Sequence, residues 1–189
     1  MPANLNVPLL IRAGLSQLVV IDTQTKLITA MPQDALQACI KNIGILAQAA
    51  KLLSVPTIIT EQYPKGLGNT VPELLALLPN IKPVEKRSFS CMGEPTFSRQ
   101  LTRDHSQVVL AGMEAHICVL QTALDLLSAG KQVFVAEDAI VSRNPANKAN
   151  ALARMREAGC IISNTESIVF EWLGIAEGDV FKAVSKLIR

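Results

Sequence analysis

A chain of 189 residues with 49% hydrophobic and 18% charged content can bury one substantial core and has the usual length of one domain, so a single domain over 1–189 is expected. Its formal net charge of +2 comes from 18 basic and 16 acidic side chains that are interspersed, and no concentrated field draws in nucleic acid or an anionic membrane. The four cysteines, Cys39, Cys91, Cys118 and Cys160, form no CxxC pair and no Cys/His cluster, which indicates neither a zinc site nor a disulfide framework and favours a reducing, cytoplasmic compartment.

The first residues, Met1–Asn6, lack a cationic segment followed by a long apolar one, and no run approaches the roughly 18 apolar residues needed to span a bilayer. The first short β-branched run is Gln17–Asp22 (QLVVID), followed by apolar residues at helical spacing over Gln33–Leu53. The runs Val55–Thr60, Ile81–Lys86 and Gln107–Gly112 come next, then a helical pattern over Cys118–Ser128 that Gly130 should stop. Gln132–Glu137, a helix over Asn147–Ala158 ended by Gly159, a strand over Cys160–Ser163 and an amphipathic helix over Glu177–Ile188 complete the chain. Continuous apolarity without alternation is what strands covered on both faces require. Strand and helix in repeated alternation then imply an α/β fold: a three-layer α/β/α sandwich with a six-stranded parallel sheet in the Rossmann-like order 3-2-1-4-5-6.

In such sheets ligands bind where the carboxyl ends of strands open into loops. The first run ends at Asp22, the third at Lys86, and the fourth leads through Gly112-Met113-Glu114-Ala115-His116-Ile117 to Cys118. Cys118 opens a predicted helix, where unpaired amides and the dipole favour a thiolate; equally, cysteine is a small hydrophobe common in cores. Asp22 follows Val19-Val20-Ile21, and a carboxylate at a buried strand end needs a partner. Lys86 is the natural cation, either as part of a reactive site or as a plain strand-end salt bridge.

The segments VVIDTQ, TEQYPKGLGNTVPEL, EKRSFSCM, GMEAHICVLQTALDLLSAG and VAEDAIVSRN, in this order, resemble the isochorismatase-like cysteine hydrolases along nearly the whole chain. They are most similar to the isochorismatase-domain-containing proteins of unassigned substrate. The resemblance implies that Asp22 is the general base, that Lys86 orients and stabilises charge, and that Cys118 is the nucleophile. It further implies a cis peptide joining Met113 to Glu114, and an oxyanion hole made by the backbone amides of Glu114 and Cys118.

The chain departs from the nicotinamidase branch, in which an Asp and two His after strand two bind a metal, because Glu61-Gln62-Tyr63-Pro64-Lys65-Gly66-Leu67-Gly68 has no histidine. No metal and no other cofactor are expected. His116, two residues before Cys118, should face away from it, and His105 sits in the polar stretch Arg103-Asp104-His105-Ser106. Cys91 is a competing thiol that follows Lys86 closely enough to reach the site mouth, whereas Cys39 and Cys160 read as core. Tyr63 and Phe89 lie in loops over the crevice and either wall a substrate pocket or pack against another subunit. Lys65, Arg87 and Arg143 are given no site role. The expectation is a metal-independent homo-oligomeric hydrolase cleaving an amide-type C–N bond of a small molecule through a thioester. Ester or vinyl-ether hydrolysis with Asp22 as general acid, and a non-catalytic oligomeric binding protein, are the alternatives.

Overall fold

The apolar runs become strands because each is covered on both sides. In the computed structural model, which describes residues 9–188, β1 (Ser16–Ile21) and β4 (Gln107–Met113) are buried at every position. Successive residues of β1 serve opposite layers: Leu18 and Val20 pack into one cluster, Val19 and Ile21 into the other, as the two-residue period of a strand dictates. The remaining strands are β2 (Thr57–Gln62), β3 (Val84–Lys86), β5 (Gln132–Val141) and β6 (Ile161–Ser163). All neighbours pair in parallel, in the order β3-β2-β1-β4-β5-β6, as the sequence led us to expect.

Eight helices occupy the connections among the described residues: α1 (Gln33–Leu52), α2 (Pro64–Leu67), α3 (Pro72–Leu77), α4 (Pro95–Gln100), α5 (Leu120–Ser128), α6 (Pro145–Ala158), α7 (Thr165–Leu173) and α8 (Gly178–Ile188). Buried residues of α1, α3, α7 and α8 share one cluster with Leu18, Ile59 and Val109, while those of α4, α5 and α6 share the other with Val19, Ile58 and Leu110. The three-layer arrangement follows. None of these helices is long and apolar enough to cross a membrane. Met1–Asn6, read above for a leader pattern, lies outside the described residues.

Several boundaries differ from the sequence reading for local reasons. β3 starts at Val84 rather than Ile81, because Pro83 has no N–H for a ladder and the Ile81 amide turns back to the Leu78 carbonyl (3.0 Å). β5 runs past Glu137 to Val141 through an irregularity: Val135 pairs with Leu110, but Ile140 pairs with Gly112. Asp138, in the extra residues, accepts the Thr165 amide (2.8 Å) and hydroxyl (2.9 Å) and so ties β5 to the start of α7. The helix expected from Cys118 begins earlier, in a π-helical turn over Ala115–Val119 that continues into α5.

Gly112 is where this packing is least forgiving. Its φ is 115°, it pairs with Ile21 across the β1–β4 seam, and a Cβ there would overlap the Ile21 backbone. Gly112→Ala should therefore cost about 2–4 kcal/mol, through both left-handed backbone strain and overlap with an immovable neighbour. The check is the urea unfolding midpoint at constant m; a loss under about 0.5 kcal/mol would mean that the seam separates freely at this point.

Candidate active site

The sheet reverses its direction of growth between β1 and β4, and at such a switch point the connecting loops part to leave a crevice. Asp22 is the first residue beyond β1. Its backbone takes a left-handed conformation (φ 49°), unfavourable for a non-glycine residue, while its amide is held by the Thr60 carbonyl (3.1 Å). The carboxylate is fully buried, and the Thr60 hydroxyl donates to its Oδ1 (2.8 Å).

Lys86 ends β3, two strands and thus about 10 Å from β1. It is paired in register with Gln62 of β2, so its long stem has to cross β2 to reach the first strand. It does so: Nζ lies 2.7 Å from Asp22 Oδ2, with both side chains fully buried. The ammonium donates to Gln62 Oε1 (2.7 Å), the Phe89 carbonyl (3.0 Å) and the Ser88 carbonyl (3.2 Å). An ammonium has three protons, and these three acceptors engage them. The ammonium thus shares its protons among four oxygens, and its contact with Asp22 Oδ2 (2.7 Å) acts through both charge and hydrogen bonding; no better-aligned partner for that oxygen is found among the described residues. Burial alone would lower the Lys86 pKa, but Asp22, followed by Cys118 and Cys91, outweighs it and holds the group above its ordinary range. It is a permanent cation at neutral pH.

Cys118 lies in the π-helical turn and is 6% exposed. Burial pushes its pKa up, the neighbouring Asp22 carboxylate pushes it further both by charge and by a hydrogen bond, and the opposing pull of Lys86 is too small to reverse the shift. The thiol therefore rests protonated. The helix terminus and Lys86 favour a thiolate and Asp22 opposes it; here desolvation and the nearby carboxylate are larger than the partial charge of a dipole.

The other candidates separate clearly. Cys91, expected near the site mouth, is instead fully buried behind the carboxylate. Its amide donates to Thr122 Oγ1 (2.9 Å) and its Sγ lies 3.8 Å from Thr60 Oγ1; burial raises its pKa to about 11. Cys39 and Cys160 are buried too, with burial pushing them to about 12 and about 11. His116 pairs with Ser142 (3.0 Å), and His105 with Thr102, so neither engages Cys118. The Met113–Glu114 peptide is cis. The buried Glu114 carboxylate accepts the Arg143 amide (2.9 Å) and Nε (3.1 Å), which gives Arg143 a partner that the sequence reading did not assign.

Asp22 and Cys118 open on a cleft of about 90 Å³ whose other walls are Leu27, Gln62, Leu67, Phe89, Glu114 and Ile117. Phe89 thus reaches the cleft. Tyr63 does not: it lines a separate, larger cleft of about 420 Å³ with Lys65, Arg87 and Glu94, and the Arg87 guanidinium lies 5.0 Å from its ring. Size does not make that the reactive cleft, because neither Asp22 nor Cys118 lines it. Thr60 and Gln62 were missed in the sequence, although polar residues ending a buried strand are a usable signal. Among the described residues, no group of three or more His, Cys, Asp or Glu side chains is placed to hold a metal ion.

Comparison with known proteins gives the lineage. Residues 16–167 match the family model of the Isochorismatase domain. Over 146 residues, 76% of this chain and 70% of the relative, the chain is 42% identical to isochorismatase domain-containing protein 2 of Bos taurus. It superposes with a TM-score of 0.88 on the MAR1 ribonuclease of Caenorhabditis elegans, at 40% identity and covering 94% of this chain and 91% of that one. YcaC from Pseudomonas aeruginosa, solved with hexane-2,5-diol and covalent acrylamide, gives a TM-score of 0.87 at 25% identity, covering 96% and 92%. A family model that spans most of the sheet and its helices, together with a relative of this identity, establishes that the chain belongs to the isochorismatase-like hydrolase family.

Proposed function

We propose that this protein is a metal-independent cysteine hydrolase that cleaves the C–N bond of a small amide, with Cys118 as nucleophile, Asp22 as general base and Lys86 as a fixed cation. One observation carries the reading: the buried Asp22 carboxylate, held by Thr60 at Oδ1 and by a cation 2.7 Å from Oδ2, is hydrogen-bonded to a thiol that rests protonated. A carboxylate kept ionised by a fixed cation, next to a proton that must leave, is the arrangement general-base catalysis requires.

As Cys118 Sγ bonds to the carbonyl carbon, its proton passes to Asp22 Oδ2. The tetrahedral oxyanion is held by the amides of Glu114 and Cys118. Asp22 returns the proton to nitrogen while the C–N bond breaks, releasing ammonia or an amine. Water then gives a proton to Asp22 as its oxygen bonds the thioester carbon, and that proton returns to sulfur as the C–S bond breaks. Lys86 transfers nothing; it stabilises the carboxylate in a site of low dielectric. Thr60 fixes Oδ1 and so leaves Oδ2 as the working base.

The covalent acrylamide in the P. aeruginosa neighbour supports a nucleophilic side chain in this fold, since acrylamide carries an electrophilic alkene carbon beside its small primary amide. RNA, named by the C. elegans neighbour, is a poorer fit to a cleft of about 90 Å³ with apolar walls on a chain of formal charge +2. Four free thiols suit a cytoplasmic setting, and the reading includes a homo-oligomer acting on a small molecule rather than on nucleic acid or a membrane.

Replacing the nucleophile should lower amide turnover by about 10⁴-fold or more in Cys118→Ala, measured by ammonia release on a panel of small amides and RNA. Retention of most activity by that variant on an ester or vinyl ether would favour acid catalysis by Asp22 without a covalent intermediate.

The two roles of Asp22 come apart in a second measurement. Because the Cys118 pKa is raised from its ordinary value of 9.0, the thiolate remains a small fraction that is still growing at that pH, and iodoacetamide labelling should climb about tenfold per pH unit through pH 9 without a plateau. Asp22→Asn removes a group that raises that pKa while leaving Lys86 in place. Labelling at pH 8 should therefore accelerate even as turnover drops by about 10²- to 10⁴-fold. A wild-type plateau below pH 8, or first labelling at Cys91, would refute the assignment.

A further inference from the structure

We infer that the cleft selects amides of short, apolar carboxylic acids that carry no negative charge and whose acyl group is smaller than a benzene ring; this rests on the reading of Cys118 as the nucleophile. The first observation is size. The cleft that Cys118 opens on measures about 90 Å³, below the roughly 150 Å³ of an engineered protein cavity that admits benzene.

The second is chemistry, taken wall by wall. Gln62 lines the cleft, but its Oε1 is engaged by Lys86 (2.7 Å) and its Nε2 by the Arg87 carbonyl (2.8 Å). Glu114 has its carboxylate engaged by the Arg143 amide and Nε. Asp22 is held between Thr60 and Lys86. Lys86, the cation that the described residues place at this depth, is fully enclosed and already donates to three oxygens. The remaining walls are Leu27, Leu67, Phe89 and Ile117.

A substrate acyl group therefore meets mostly hydrocarbon, plus polar side chains already held by protein partners. A carboxylate on that group would face the carboxylates of Asp22 and Glu114, and among the described residues the cleft walls supply no cation to match it. A ring nitrogen, which only accepts, would exchange its water for walls of hydrocarbon and carboxylate. An apolar chain loses only unfavourable hydration. The scissile carbonyl and nitrogen are the only polar atoms the site is built to receive, through the two backbone amides and Asp22.

The test compares kcat/KM of the purified protein for propionamide, benzamide and anionic succinamate, by ammonia release, with iodoacetamide labelling of Cys118 run in parallel. Propionamide should exceed benzamide by at least about tenfold and succinamate by about 10²-fold or more. Leu67→Ala or Phe89→Ala should raise the benzamide-to-propionamide ratio by about tenfold. Phe89 is 55% exposed, so its truncation keeps the test available if the Leu67 variant fails to fold. Benzamide or succinamate hydrolysed as well as propionamide, with turnover abolished in Cys118→Ala, would overturn the inference while leaving the nucleophile in place. No turnover of any amide by a protein whose Cys118 is alkylated would overturn the hydrolase reading, and the inference with it.

Discussion

The contact between Lys86 and Asp22 is the constraint around which the rest of the site is arranged. Removing two opposite charges from water costs several kcal/mol for each ion, and mutual attraction recovers this only when the remaining protons and lone pairs are matched. Here the match is asymmetric. The ammonium is surrounded by Gln62, Ser88 and Phe89 oxygens as well as the carboxylate, whereas the carboxylate has the Thr60 hydroxyl on Oδ1 and the cation on Oδ2 and meets the Cys118 thiol. The ammonium therefore shares its protons among more oxygens than it can fully serve, and the carboxylate is held ionised without being saturated by donors.

This pair also fixes what the strands must do. Lys86 and Asp22 meet only because β2 separates their strands and presents Thr60 and Gln62 at its end, one for each partner. On the other side of β1, the absence of a side chain at Gly112 lets β4 close against Ile21, and the chain then turns through Glu114 to Cys118. The strand order is thus a positioning device: three segments distant in sequence deliver a carboxylate, a cation and a thiol to one side of a switch point.

The protonated resting state of Cys118 has a counterpart in its surroundings. A thiolate-stabilising site needs net positive potential, but the thiol here has a carboxylate for a neighbour, and Lys86 is shared with that carboxylate. Such a site keeps the sulfur protonated, and in the proposed reaction the proton leaves only as the sulfur attacks. Cys91, one hydroxyl removed from Asp22, is sealed from solvent by the same core that raises its pKa, so two thiols near one carboxylate do not compete on equal terms.

Much of this was legible in the sequence. Runs such as QLVVID and QVVLAG are too apolar and too β-branched to be anything but strands covered on both faces, and their alternation with helical patterns leaves a parallel sheet as the consistent arrangement. Strand-end logic picked out Asp22, Lys86 and Cys118, because polar groups at the ends of buried runs are costly and need a reason. The short helices α2, α3 and α4, of four to six residues, were not legible, since a single turn carries no period to detect. Nor was the bulge that carries β5 through to Val141. The pairing of the Glu114 carboxylate with Arg143, the retreat of Cys91 into the core and the separation of Tyr63 from Phe89 depend on where loops settle after packing. The direction of the Cys118 pKa was likewise decided only by tertiary structure. Sequence spacing names the charges around a thiol, but burial depth and the distance to each charge determine which of them wins.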